Sequence, residues 1–194
     1  MLYYNLAYAK RTCSVKRIEH TGEPMGQDPN NEFPKAGHNH RTCVDDALRK
    51  AEDLCALRGA RLTKLRRRVF ELVWSSHAPV GAYELLRRLG QERGGVAPPT
   101  VYRALDFLRE HGLIHRIERL NAFVGCGRPD RDHAGQFLIC SGCGAAAEVD
   151  DPRVDAAIER RAGEMGFAVR HKTIEIEGLC PPCRHHDQER GHAQ

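Results

Sequence analysis

The sequence predicts an α+β chain of two modules: a set of helices closed by a short hairpin, then a small α/β unit organised around cysteines. Three observations predict it. Two Cys-x-x-Cys pairs, Cys140-Ser141-Gly142-Cys143 and Cys180-Pro181-Pro182-Cys183, flank a segment that reads as a helix and a strand. Successive helical patterns from residue 63 onward lead at once into two short β patterns near residues 113–126. Charge is also uneven. Residues 60–119 hold 12 Lys/Arg against 6 Asp/Glu, while the whole chain of 194 residues has a net charge of only +4.

Composition narrows the classes. With 41% hydrophobic and 6% aromatic residues, one large core is not expected. No apolar run reaches the length of a membrane span, and Met1-Leu2-Tyr3-Tyr4 does not open a secretory signal. Eight cysteines without an export signal point to a reducing cytoplasm and to metal ligation rather than disulfides.

Residues 1–41 lack periodicity and are expected to form a disordered tail. Asp45 or Asp46 is placed as the cap of a first helix whose apolar face is Ala47, Leu48, Ala51, Leu54 and Cys55, with Gly59 ending it. Thr63 is expected to cap a second helix carrying Leu65, Val69, Leu72 and Val73. A third helix carries Ala82, Leu85, Leu86 and Leu89. A loop is expected over residues 90–99. Thr100 then opens a fourth helix with Val101, Ala104, Leu105 and Leu108 on its buried stripe. Gly112 stops it, and residues 113–118 and 122–126 read as two strands turning near Asn121. Helices followed by such a hairpin make a winged helix-turn-helix, assigned to residues 42–119, with the wing end and a hinge at 120–136. Beyond it, residues 137–139 and 145–149 read as strands. Pro152 starts a helix with Val154, Ile158, Ala162 and Met165 on its apolar face. Phe167 through Ile176 is expected as a last strand, closing a module over 137–184, and 185–194 is a polar tail.

The four paired cysteines suit one tetrahedral zinc ion, with Zn–S bonds of about 2.3 Å. A lone Cys-x-x-Cys could be a redox dithiol. Two pairs with no helix-capped low-pKa thiol fit a closed structural site better. A second, mixed set lies near the junction of the modules: His115, Cys126, His133 and Glu148. Two imidazoles, a thiolate and a carboxylate would also suit zinc, although a lone His on a strand is more often simply packed. In the helical module, Arg103 is placed to present a guanidinium to guanine in a major groove. Thr100, Tyr102, Tyr83 and Arg61 are placed for phosphate or minor-groove contacts. The alternative for each is a solvated surface side chain.

The run Pro98-Pro99-Thr100-Val101-Tyr102-Arg103-Ala104-Leu105-Asp106-Phe107-Leu108 resembles the recognition helix of the ferric uptake regulator superfamily. Gly112-Leu113-Ile114-His115-Arg116-Ile117-Glu118, both cysteine pairs and Met165-Gly166-Phe167-Ala168-Val169-Arg170-His171 resemble its zinc uptake branch. The resemblance covers about residues 42–184. It implies a cytoplasmic, zinc-dependent repressor of zinc-uptake genes that binds a pseudo-palindromic double-stranded operator as a homodimer through its C-terminal module. It implies no enzymatic activity, no membrane association and no small-molecule substrate. It also implies two zinc ions per subunit: a structural one on Cys140, Cys143, Cys180 and Cys183, and a regulatory one on His115, Cys126, His133 and Glu148. Lys64 stands where the branch often has Pro. The His-His-Asp-His run of iron-sensing relatives is absent before Cys140, which favours zinc over iron or peroxide. A relative responding to iron, manganese, nickel or peroxide is the alternative. A thiol–disulfide enzyme and a protein-binding zinc ribbon leave the basic block unexplained.

Overall fold

The computed structural model describes residues 33, 40–76, 78–93, 95–131, 133 and 135–185. The expected tails lie almost wholly outside them, as do His186 and His192. The order of elements is α1 (His40–Leu57), α2 (Lys64–Trp74), β1 (Val80–Gly81), α3 (Ala82–Arg93), α4 (Pro98–Glu110), β2 (Ile114–Ile117), β3 (Ala122–Gly125), β4 (Gly135–Cys140), β5 (Ala146–Val149), α5 (Pro152–Glu164) and β6 (Thr173–Gly178).

The helical module closes over one core. Ala51, Val69, Leu85, Leu89, Val101, Leu105 and Leu108 from all four helices are at most 1% exposed, so the apolar stripes meet as their spacing requires. Thr63 caps α2, its hydroxyl accepting from the Arg66 N–H at 3.5 Å. Gly59 and Gly112, at φ +63° and +65°, end α1 and α4 in the left-handed conformation that glycine adopts without strain. The wing is a three-stranded sheet ordered β1-β3-β2, antiparallel throughout.

The second sheet is ordered β5-β4-β6. β5 is antiparallel to β4 and β6 is parallel to it, reached by the α5 crossover. Asp151 caps α5 by accepting from the Arg153 N–H at 2.9 Å, and Pro152 takes the first position. Buried Gln136 ties the sheet to α5, its Nε2 donating to the Asp151 carbonyl at 3.2 Å and to Asp155 Oδ1 at 3.1 Å. A second, smaller core joins the modules: Ile117 of the wing, with Val124 beside it, packs on Phe137, Ile139 and Ala146.

Several boundaries differ from the expected ones. α1 begins at His40, so Asp45 and Asp46 lie inside it, and Asp46 pairs with Arg49 rather than capping. α3 runs through Gly90 to Arg93, and α4 begins at Pro98, not Thr100. Prolines in the first turn need no N–H, so they start this helix instead of extending the loop. β6 begins at Thr173, leaving Phe167 and Val169 outside the strand. The stripe on α5 is not buried: Val154 is 38% exposed, Ile158 36% and Met165 70%.

Leu105→Ala should destabilise the helical module by about 2–5 kcal/mol, seen as a lower denaturant midpoint for loss of helical circular dichroism.

Candidate metal centres and nucleic-acid interface

The four paired cysteines converge because both loops leave the same end of one sheet. Cys140 ends β4, and Gly178 of the adjacent β6 stands beside it two residues before Cys180. The loops are cross-tied: Ser141 N–H donates to the Gly178 carbonyl at 2.8 Å, and Cys180 N–H donates to Cys140 Sγ at 3.3 Å. All four sulfurs lie within 4.8 Å of one another. Tetrahedral Zn–S bonds of about 2.3 Å would separate sulfurs by about 3.8 Å, and Cys143 Sγ and Cys180 Sγ are 3.7 Å apart. Gly142 eases the close approach of the two loops, since a Cβ would stand 3.0 Å from Cys183 Sγ, tighter than an ordinary contact.

Electrostatics at this cluster points to a cation. Burial pushes the Cys140 thiol up, but the N–H groups of Cys180, Cys143 and Gly142 outweigh it and bring it down to about 6. Cys183 is pushed up to about 12, first by sharing a hydrogen bond with Cys180 and then by burial. One thiolate is sustained by the backbone. A set of four needs a compensating positive ion.

The second cluster draws one residue from each of four places. His115 comes from β2, Cys126 directly follows β3, His133 lies in the loop before β4, and Glu148 is on β5. Their ligand atoms also fall within 4.8 Å of one another. Cys126 Sγ is 3.6 Å from His133 Nε2. Glu148 Oε1 lies 2.6 Å from His133 Nε2 and 2.8 Å from His115 Nε2. His133 Nδ1 is 3.0 Å from the Arg131 carbonyl. A carbonyl can only accept, so Nδ1 carries the proton and Nε2 faces the cluster. Gly127 N–H holds the other Glu148 oxygen at 2.8 Å. His115 Nε2 is buried without a well-directed hydrogen bond, although Glu148 is near. Such an orphaned donor atom is unusual in a protein interior, and a metal ion among these four groups would satisfy it. The loop carrying Cys126 is itself fixed by close packing. A Cβ on Gly125 would lie 2.2 Å from the Trp74 indole, so only glycine lets Trp74 cover this strand end.

The groups of the mixed cluster hold one another toward their charged forms. Burial pulls His115 down, but the Cys126 thiol and the Glu148 carboxylate beside it outweigh that and raise it to about 9. His133 is raised to about 11 by Cys126 and then Glu148. Glu148 is drawn down to about 2, its burial outweighed by the two histidines. The Cys126 thiol also falls, burial again being outweighed by His115 and His133. Two imidazolium ions thus face a carboxylate and a thiol whose ionisation they favour. A divalent ion taking the place of the two imidazolium protons leaves the net charge unchanged.

On the helical module, Arg103, Thr100 and Tyr102 all stand exposed along α4, Tyr102 at 50%. Tyr83 opens α3 and is 82% exposed, and Arg61 is exposed before α2. Most arginines of the basic block are already paired: Arg67 with Glu52 and Glu71, Arg68 with Glu71 and Glu92, Arg87 and Arg88 with Glu84, Arg109 with Asp106. Among the described side chains of this block Arg61, Lys64, Arg66 and Arg103 have no carboxylate partner. Charge counting along the chain does not reveal this sorting. Nor does it reveal Arg66, whose guanidinium lies 3.5 Å from the Phe107 ring centre and donates to the Arg61 carbonyl at 2.7 Å.

Comparison with known proteins gives concordant results. The sequence model of the ferric uptake regulator family matches residues 57–177. The zinc uptake regulation protein of Escherichia coli (strain K12) is 40% identical over 144 residues, covering 74% of this chain and 84% of that protein. Among solved structures, a zinc uptake regulator complexed with zinc and DNA superposes with a TM-score of 0.71 at 39% identity, over 75% of this chain and 97% of its own. The crystal structure of holo XcZur gives 0.67 at 43% identity, covering 73% of this chain and 99% of its own.

If both imidazoles start protonated, zinc binding at the mixed cluster near pH 7 should release about two protons per ion, and affinity should rise with pH until both histidines are neutral. Calorimetry in buffers of different ionisation enthalpy counts these protons. A second measurement addresses the four-cysteine cluster: Cys140→Ser should remove one tightly held zinc per subunit by native mass spectrometry and unfold the β4–β6 sheet.

Proposed function

The chain belongs to the ferric uptake regulator family and falls with its zinc uptake regulators, and on that premise we propose that it is a zinc-responsive DNA-binding repressor of zinc-uptake genes. It is a regulator, not an enzyme. The observation that carries the reading is the mixed cluster. Its four donors come from the wing, the hinge and the second sheet, so filling it constrains one module against the other.

In this proposal each subunit holds two zinc ions. Cys140, Cys143, Cys180 and Cys183 hold the structural one, and His115, Cys126, His133 and Glu148 hold the regulatory one. A regulatory zinc ion supplies two positive charges and four directed bonds. The chain's own groups do the rest. Arg131 orients His133, Gly127 orients Glu148, and Trp74 fixes the strand end that carries Cys126. One angle between the modules is thereby favoured over others, and occupancy shifts the population toward it.

Residues 42–119 act as the DNA-binding module and 137–184 as the dimerisation module, with the wing end and hinge at 120–136 between them. The exposed stripe of Val154, Ile158 and Met165, with Phe167 at 67%, Ile176 at 53% and Leu179 at 41% beside it, supports a second copy as its cover. A two-fold dimer presents two copies of α4 to the half-sites of a pseudo-palindromic operator. Arg103 reads a base there, with Thr100, Tyr102, Tyr83 and Arg61 on the backbone. No helix among the described residues is long and apolar enough to cross a membrane, and binding to DNA places the protein in the cytoplasm.

The test is operator binding titrated separately against free zinc, iron, manganese and nickel. Zinc is expected to act at the lowest free concentration; response to another metal first would reassign the sensor. His115→Ala and Cys126→Ser should each abolish the zinc dependence while leaving a folded dimer that keeps one zinc per subunit. Arg103→Ala should weaken operator binding by about 1–3 kcal/mol and relax discrimination at one base pair of each half-site, as read in competition with altered duplexes.

A further inference from the structure

The mixed cluster grips the wing at one end only, through His115 on β2 and Cys126 directly after β3. A strand held at one end can still pivot. The other end of the same strand is held by something different. The turn after β2 runs Glu118-Arg119-Leu120-Asn121, closed by Asn121 N–H donating to the Glu118 carbonyl at 3.1 Å, with Asn121 at φ +46°. Two further N–H groups of this turn point at one carboxylate of the second sheet. Glu118 N–H donates to Glu175 Oε1 at 2.6 Å, and Arg119 N–H donates to Glu175 Oε2 at 3.2 Å. The Arg119 guanidinium pairs with Glu177 on the same strand, β6. Hydrogen bonds to an ionised acceptor are the stronger class, and a carboxylate spanning two successive amides fixes direction as well as distance.

The latch and the metal cluster also share their footing. Glu175 stands opposite Phe137 in the parallel β4–β6 ladder. The Phe137 ring lies edge-on to His115 with centroids 5.3 Å apart. Between the two grips, Ile117 is fully buried against Phe137 and Ile139. The grips are three to four residues apart along an extended chain, about 10–13 Å. Two anchors at that separation remove the pivot that one would leave.

We propose that Glu175, assisted by Glu177, is a positioning residue that latches the wing onto β6, and that regulatory occupancy reaches operator affinity only through a wing held at both ends. The inference rests on the zinc-responsive reading above. Glu175 and Glu177 touch neither cluster and lie far along the chain from the proposed DNA contacts, so their effect would be on coupling between sites rather than on either site alone.

The experiment uses the full-length dimer and a duplex selected from random sequence by the zinc-saturated wild-type protein. The measured quantity is the ratio of operator Kd without zinc at the regulatory cluster to Kd with it. Glu175→Ala should lower that ratio about 5–10-fold, mainly by weakening the zinc-saturated state. One zinc per subunit should remain on the cysteines, and the Glu118 and Arg119 amides should lose protection from hydrogen exchange. Arg119→Glu and Glu177→Arg should each lower the ratio in part, and the double swap should restore it. A wild-type ratio of one would overturn the zinc-responsive reading and this inference together. A larger wild-type ratio that Glu175→Ala leaves unchanged would overturn this inference alone. If Glu175→Ala fails to fold, the swaps decide: unchanged ratios in the singles, or no recovery in the double, overturn it equally.

Discussion

Four sulfur atoms confined within 4.8 Å cannot all carry charge without a cation among them, and the second module depends on resolving that repulsion. Its sheet has only three strands, and α5 buries no residue of its own. A unit this small lacks the apolar area that stabilises larger domains. Structural zinc sites in small peptides contribute roughly 10–16 kcal/mol at neutral pH, enough to replace the missing core. The two cysteine loops sit at adjacent ends of β4 and β6, so bonds to an ion there would also hold the parallel pair in register.

The mixed-donor cluster answers a different constraint. Replacing its two imidazolium protons by one divalent ion leaves the net charge of the cluster unchanged. Exchange between those states therefore does not create a net buried charge, which would be costly in a low-dielectric interior. That property suits the regulatory role proposed for this site. The wing carries one ligand from each of its two main strands, His115 on β2 and Cys126 after β3, and its underside forms half of the second core. It belongs structurally to both modules, which makes it the natural carrier of any signal between them.

Much of this architecture is legible in the residues. The apolar stripes of α2, α3 and α4 show the 3.6-residue period, Thr63 and Asp151 announce their helices, and the cysteine spacing announces a tetrahedral ion. All four residues of the mixed cluster are named by donor chemistry and position, and the resemblance implies the same set. Spacing along the chain cannot show that Glu148 lies beside His115, because that proximity is made by the pairing of Phe137 with Glu148 across β4 and β5. Other features were misread for identifiable reasons. Pro98-Pro99 looked like a loop because proline ends helices as often as it starts them. The stripe on α5 is legible as an apolar face, but periodicity does not say whether the same chain covers it. β1, two residues long, carries no pattern of its own and exists only by pairing with β3. The latch at Glu175 has no local signal, since its partners are backbone amides 56 and 57 residues away.

The internal pairing of the arginines has a consequence for behaviour in salt. Binding to a duplex draws strength from the release of condensed counterions, in proportion to the phosphates that protein cations neutralise. Arginines already bridged to Glu71, Glu84 and Glu92 would displace few ions, and the cations of the block without a carboxylate partner, Arg61, Lys64, Arg66 and Arg103, would supply most of that effect in the proposed complex. A helical module with a strongly basic formula can therefore have only a shallow dependence on ionic strength. Its preference for one sequence over the bulk of the chromosome would then owe more to shape and base contacts than to attraction at a distance.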